Sequence, residues 1–285
     1  MDDSSIFIIG ANGQLGTALR QKYPNAKSAD IKELDITNKE SVDTFDWTGI
    51  KTILNAAAYT NVDGAETPNG RVIAWAVNAV AIGNLVNPAR RNGMTIVHIS
   101  TDYVFDGTKI PHDEGEPFSP LSVYGASKAA GDLIVAGIDE HYILRTSWVI
   151  GEGKNFVRTM LELGKSGISP TVVSDQTGRP TFTSELVRAI DHLLTTKAPF
   201  GTYNVSNAGK IISWANLARK IFEIAGYDGI LVTDATSQEY FASKPGVAPR
   251  PIQGALNLSK IQSTGYKSND WQSELRSYIK EDESK

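Results

Sequence analysis

Hydrophobic residues in this chain come first as short unbroken runs, each followed by a stretch with helical spacing. Ile6-Phe-Ile-Ile9, Thr52-Ile-Leu-Asn-Ala56, Thr95-Ile-Val-His-Ile99 and Tyr142-Ile-Leu-Arg-Thr146 are too short for helices. Such runs suit strands buried on both faces of a parallel sheet. Between them the pattern predicts a helix beginning over Leu15 to Leu19, a short helix opened by a capping box at Thr37-Asn-Lys-Glu40, and a helix over residues 70–91. Pro88 is expected to kink that helix or end it early. Another helix contains Tyr124. Strand and helix alternate strictly enough to predict an α/β fold with a doubly wound parallel sheet.

After Thr146 the alternation loosens. Helices are expected over residues 155–163 and 184–194, from a Ser213 cap to Gly226, and from about Asp270. Strands are expected at 171–173 and 201–205, with an irregular stretch over 234–256 and a frayed charged tail over 280–285. Residues 1–148 read as a dinucleotide-binding domain, with returns to its sheet around 182–207. Residues 149–181 and 208–285 read as a smaller interleaved α/β substrate-binding lobe.

Composition narrows the function classes. The 285 residues carry a formal charge of −4, which offers no electrostatic case for nucleic acid or an anionic membrane as partner. There is no cysteine, which removes disulfides, thiolate chemistry and Cys-ligated zinc. The four histidines, His98, His112, His141 and His192, lack metal-ligand spacing, so no metal site is expected. No signal peptide and no membrane span is read, and the expectation is a cytoplasmic protein.

The candidate chemistry lies at the ends of the apolar runs. Gly10, Gly13 and Gly16 fall between the first strand and its helix, where a tight turn lets backbone amides approach a pyrophosphate; this gives the sheet a Rossmann-like reading. Asp30 lies 20 residues after Gly10, the place of an acid that binds a ribose hydroxyl, and Lys32 could instead meet a 2′-phosphate. NADH and NADPH both remain open. Asp35 and Ile36 border the adenine region, and Ala56-Ala-Ala-Tyr-Thr60 offers small residues along the same rim. Ser100 and Thr101 put hydroxyls at a strand end. Tyr124 and Lys128 share one helical face, so the ammonium is expected to lower the phenol's pKa and fit it for acid or base work. The same spacing at Tyr23/Lys27 and Tyr240/Lys244 is interrupted or followed by proline. Arg179 sits in a loop that could reach an anionic ligand.

Taken together, these motifs resemble the extended short-chain dehydrogenase/reductase superfamily, and within it the dTDP-4-dehydrorhamnose reductases. Gly10-Ala-Asn-Gly-Gln-Leu-Gly16, Asn55-Ala-Ala-Ala-Tyr-Thr60 with Val62-Asp63, Ser100-Thr-Asp-Tyr-Val-Phe105 and Tyr124-Gly-x-x-Lys128 carry the resemblance. Arg145-Thr-Ser-Trp148 and Asp175-Gln-x-Gly-Arg-Pro-Thr181 discriminate best. The resemblance implies NADPH- or NADH-dependent reduction of the 4-keto group of a dTDP-sugar, with Thr101, Tyr124 and Lys128 as the catalytic trio. It implies Asp102, Tyr103 and Trp148 at the sugar and Arg179 at the nucleotide end. Gly10, Gly13, Gln14, Leu15, Asp35, Ile36, Ala57, Ala58 and Tyr59 would line the coenzyme.

Some members of that family dimerise through magnesium held by a glutamate two residues after the third glycine. Here that residue is Ala18, and a monomer or magnesium-independent homodimer is expected. Two other readings stand beside this one. The first is another deoxysugar-nucleotide 4-ketoreductase, a 4-epimerase or a 4,6-dehydratase, the last disfavoured because only Ser122, Gly125 and Ser127 are seen around Tyr124. The second is a non-catalytic regulatory subunit like that of methionine adenosyltransferase.

Overall fold

The computed structural model describes residues 2–283. Six strands form one parallel sheet: β1 (Ile6–Ile9), β2 (Lys27–Ala29), β3 (Thr52–Asn55), β4 (Thr95–Thr101), β5 (His141–Thr146) and β6 (Gly201–Asn204), in the order β6-β5-β4-β3-β1-β2. The chain goes outward from β1 to β2 and then crosses back to β3. The sheet therefore reverses direction between β1 and β3, where a crevice opens beyond the strand ends.

Side chains alternate across this sheet. Ile6 and Ile8 face α1 (Gln14–Lys22) and α6 (Thr183–Thr196), while Phe7 and Ile9 face α2 (Lys39–Thr44), α3 (Pro68–Asn92) and α4 (Val123–Val135). The run Ile6-Phe-Ile-Ile9 has no polar position because both faces are covered. Residues 182–207 return to the sheet, and so do residues 258–266, which the sequence pattern assigns to the lobe. Leu258, Ile261 and Tyr266 pack with Leu186 and Ile190 on the α1 face. A second core joins α5 (Phe156–Lys165), α7 (Trp214–Ile224) and α8 (Trp271–Glu283) around Val157, Leu161, Ile221 and Leu275.

Three local expectations change. Pro88 does not end α3, which runs to Asn92 and closes on Gly93 at φ 60°. An internal proline costs about 3 kcal/mol. Burying Ile82, Leu85 and Val86 on that face returns about 1.5–3 kcal/mol each. The cap of α2 is Asn38 rather than Thr37. Asn38 accepts from the amides of Glu40 and Ser41, while Thr37 donates its hydroxyl to Asp35. The expected frayed tail is helical to Glu283, and its last two residues, 284–285, lie outside the described residues.

Among the described residues α3 alone is long and apolar enough to cross a membrane, but 56% of its apolar window is buried within the protein, as in a core helix. A π-helical turn at Ala76–Val80 interrupts it. That turn presents Asn78, which bonds both the amide and the carbonyl of Tyr59 and the Ser127 hydroxyl on α4. It ties the β3 rim to the helix that carries Tyr124.

Candidate active site

The three glycines have three different reasons to be glycine. Gly10 has φ 77°, and a Cβ there would lie 2.6 Å from the Ala57 amide nitrogen; at Gly16 it would lie 2.0 Å from the Gly10 carbonyl. Both are fixed by packing. At Gly13 a Cβ would meet only the Gly10 carbonyl, at 3.4 Å. Gly13 also starts α1 without a side-chain cap, so the first turn of that helix faces the crevice with its positive end bare. This combination suits a diphosphate at Gly13.

A cleft of about 440 Å³ opens beyond the ends of β1, β3, β4 and β5. It gathers Gly13, Gln14, Leu15 and Ala58 from the nucleotide rim, Ser100 to Tyr103 from the end of β4, Tyr124 and Lys128 from α4, and Trp148 after β5. Buried polar atoms on its wall, among them Gln14 Oε1 and Thr146 Oγ1, have no hydrogen-bond partner among the described residues. Such atoms fit a site shaped for a polar ligand.

Other expected rim residues serve the turn or lie behind it. Asp30 accepts from the amides of Asn12 at 3.0 Å and Ile31 at 2.8 Å, which holds the glycine turn against the end of β2. Asp35 accepts from Thr37, Ile36 is buried with its carbonyl bonded by Asn84, and Tyr59 is fastened to Asn78. Ala57 packs directly over Gly10.

Ser122 caps α4 by accepting from the Gly125 amide, so Tyr124 emerges in the first turn and Lys128 one turn later. Tyr124 is half-buried, and loss of water around its hydroxyl pushes the phenol up to about 12. The Thr101 hydroxyl beside it favours the ionised form, while the charges of Asp102 and Asp132 oppose it. The expected lowering of Tyr124 by Lys128 is therefore not found. The ammonium instead donates to the Ile99 carbonyl at 2.6 Å, and desolvation of the phenol dominates. Burial brings Lys128 itself down to about 8, with Asp132 working against the shift.

Asp102 corrects the view that nothing acidic stands near Tyr124. It is buried, it accepts from Thr101 Oγ1 at 3.1 Å, and burial raises its carboxyl to about 7. Tyr103 meets the Tyr124 ring edge-on at 5.6 Å. Trp148 adopts φ 49°, a left-handed conformation unusual for a bulky residue, and stacks on Trp214 at 3.7 Å. Gly178 passes beneath that indole, where a Cβ would be 3.1 Å away. The strained backbone turns the Trp148 ring into a wall of the cleft.

Arg179 does not reach the cleft. Its guanidinium donates to the carbonyls of Gly209 and Leu256 and lines a separate hollow of about 250 Å³. Arg250 lies nearer: it bonds Asp63 at 2.8 Å and the side chain of Tyr103, a residue of the cleft wall, and itself lines a neighbouring hollow of about 320 Å³. Sequence reading passed over it because it lies in an irregular stretch, although the quoted Val62-Asp63 marks its partner. Among the described residues no cluster of three or more His, Asp or Glu side chains could hold a metal ion.

Residues 4–284 match the family described as RmlD substrate binding domain. The chain is 37% identical to a dTDP-4-dehydrorhamnose reductase of Aggregatibacter actinomycetemcomitans, covering 95% of this chain and 97% of that protein. It is 35% identical to the spore coat polysaccharide biosynthesis protein SpsK of Bacillus subtilis, covering 98% of each. The crystal structure of a dTDP-4-dehydrorhamnose reductase from Bacillus anthracis in complex with NADP superimposes with a TM-score of 0.89 at 35% identity, covering 97% of this chain and 98% of that one. With its glycine turn, its Tyr124/Lys128 helix and near full-length matches, the chain belongs to the dTDP-4-dehydrorhamnose reductase family.

Proposed function

We propose that this protein reduces the 4-keto group of dTDP-4-dehydro-β-L-rhamnose to give dTDP-L-rhamnose, using NADPH or NADH, as a soluble cytoplasmic enzyme. The observation that carries the reading is that Thr101, Tyr124 and Lys128 converge in one cleft with the open Gly13 turn. The bound coenzyme would supply a hydride to the carbonyl carbon. Residues 1–148 with their returns hold the coenzyme, and the interleaved lobe closes over the sugar.

At neutral pH a phenol near 12 keeps its proton, which is the state needed to deliver one to the carbonyl oxygen as negative charge gathers there. Thr101 hydrogen-bonds that oxygen and the resulting phenolate. Lys128, as an ammonium, holds the coenzyme ribose. Asp102 and Tyr103 contact sugar hydroxyls, Trp148 covers the ring, and Arg250 meets the anionic diphosphate in the role first expected of Arg179. Gln14 and Leu15 flank the pyrophosphate at the helix start.

The test is incubation with enzymatically generated dTDP-4-dehydro-L-rhamnose and either coenzyme, with the product identified by NMR. Stoichiometric coenzyme consumption and a rhamno product are expected. Return of a 4-epimer or a dehydrated sugar without consumption would overturn the reading, and so would a stable complex with a synthetase and no turnover.

A further inference from the structure

Behind Lys128, away from the cleft, the protein has built a closed polar cluster that the mechanism above does not use. His98 on β4 is fully buried. Its Nδ1 lies 3.1 Å from the Asn55 side-chain nitrogen, and the Asn55 oxygen accepts from the Ala57 amide at 3.2 Å. The Ala57 amide can only donate, so the orientation of the Asn55 amide is settled: its nitrogen donates to Nδ1. The imidazole must then be neutral and carry its proton on Nε2. That Nε2–H points at Lys128 Nζ, 3.4 Å away.

An ammonium has three donors and no acceptor, so this face of Lys128 meets a donor where it needs an acceptor. Its other charged and titratable neighbours come from three elements. On α4 they are Tyr124 and Asp132. Beyond β4 lies Asp102, and on β5 Arg145, whose Nε holds Asp132 Oδ2 at 3.0 Å. Asp132 Oδ1 has no well-formed hydrogen bond; it faces His98 Nε2 at 4.0 Å, and the Ser100 hydroxyl favours its charge. The π-turn of α3 presses the Asn78 carbonyl against Gly131, where a Cβ would come within 2.3 Å, which seals the cluster.

We infer that His98 is a positioning residue whose Asn55-locked Nε2–H weakens the hold of Lys128 on its proton and leaves the Ile99 carbonyl as the one short anchor of the ammonium. The inference rests on the reductase reading for its purpose: a lysine that titrates close to neutrality can change charge as Tyr124 does. Neither His98 nor Asn55 lines the cleft.

The experiment titrates Lys128 by NMR in the coenzyme-free protein, with its side chain isotopically labelled, in wild type, His98→Gln and Asn55→Leu. The glutamine side chain introduced by His98→Gln would offer an oxygen that accepts from the ammonium, and loss of Asn55 lets the imidazole move its proton to Nδ1. Both changes are expected to raise the Lys128 midpoint by about one pH unit. A midpoint that stays put or falls in either folded variant overturns the inference, since a merely structural histidine would not move it. The imidazole nitrogen shifts of wild type decide the matter without any variant: a neutral Nε2–H ring is expected, and an imidazolium or an Nδ1–H ring at neutral pH contradicts it. Reductase failure is separate, because it shows as absent turnover in wild type whatever the titration gives.

Discussion

Asp102 is the residue whose charge state the fold changes most visibly within the cleft. Its carboxyl is raised to about 7 because the charged form loses water on burial. A raised acid favours the folded state only while protonated. Its stabilisation is therefore complete below the unfolded value of 3.8 and is lost as pH rises through about 7. Asp102→Asn removes that loss. The expected outcome is a melting temperature that falls less between about pH 5 and about pH 8 in the variant than in wild type, measured by calorimetry. Equal slopes would show that the carboxyl is ionised throughout. At this scale the Tyr124/Lys128 pair could be read from its helical spacing only together with the glycine turn and the hydroxyls at the strand end, since Tyr23/Lys27 and Tyr240/Lys244 share the spacing. The direction of the phenol shift could not be read at all. Spacing says two groups are near; it does not say that the ammonium turns to the Ile99 carbonyl.

The glycine turn and the helix that follows it act as one element. Gly16 is filled by the Gly10 carbonyl at 2.0 Å from where a Cβ would sit, whereas Gly13 leaves room. Gly16→Ala is expected to destabilise the protein by at least about 1–3 kcal/mol, the usual cost of forcing an added methyl into a packed contact. Gly13→Ala should leave the melting temperature near that of wild type and weaken coenzyme affinity several-fold or more. Denaturant unfolding and coenzyme titration check the two. The reverse pattern would remove Gly13 from the diphosphate site. Elements with a strong period, such as β1, β4 and α4, were legible in the chain. Those that were misread lie where one local signal competes with another. Asn38 rather than Thr37 caps α2 because the Thr37 hydroxyl already bonds Asp35, and Pro88 is carried by the buried face around it.

For the whole molecule, the parallel sheet followed from the alternating runs. What the chain could not disclose is long-range. Arg250 meets Asp63 across 187 residues, and Leu258, Ile261 and Tyr266 fold back onto the sheet face. No periodicity encodes either. The Arg250/Asp63 pair and the Ala248 amide on Asp63 fasten the irregular stretch to the segment that follows β3. Assembly is expected to be independent of magnesium, because Ala18 stands where the family resemblance would put a metal-binding glutamate. Sedimentation should give the same mass with and without EDTA, and a dimer that EDTA dissociates would contradict this.

The central claim is that one phenol in this cleft gives its proton to the ketone that the coenzyme reduces. Its most direct test is the rate of reduced-nicotinamide consumption on dTDP-4-dehydro-L-rhamnose by wild type and Tyr124→Phe, with coenzyme affinity measured on both. The account expects the variant to turn over about 10²-fold more slowly or worse while binding the coenzyme normally. Near-normal turnover by Tyr124→Phe would contradict it.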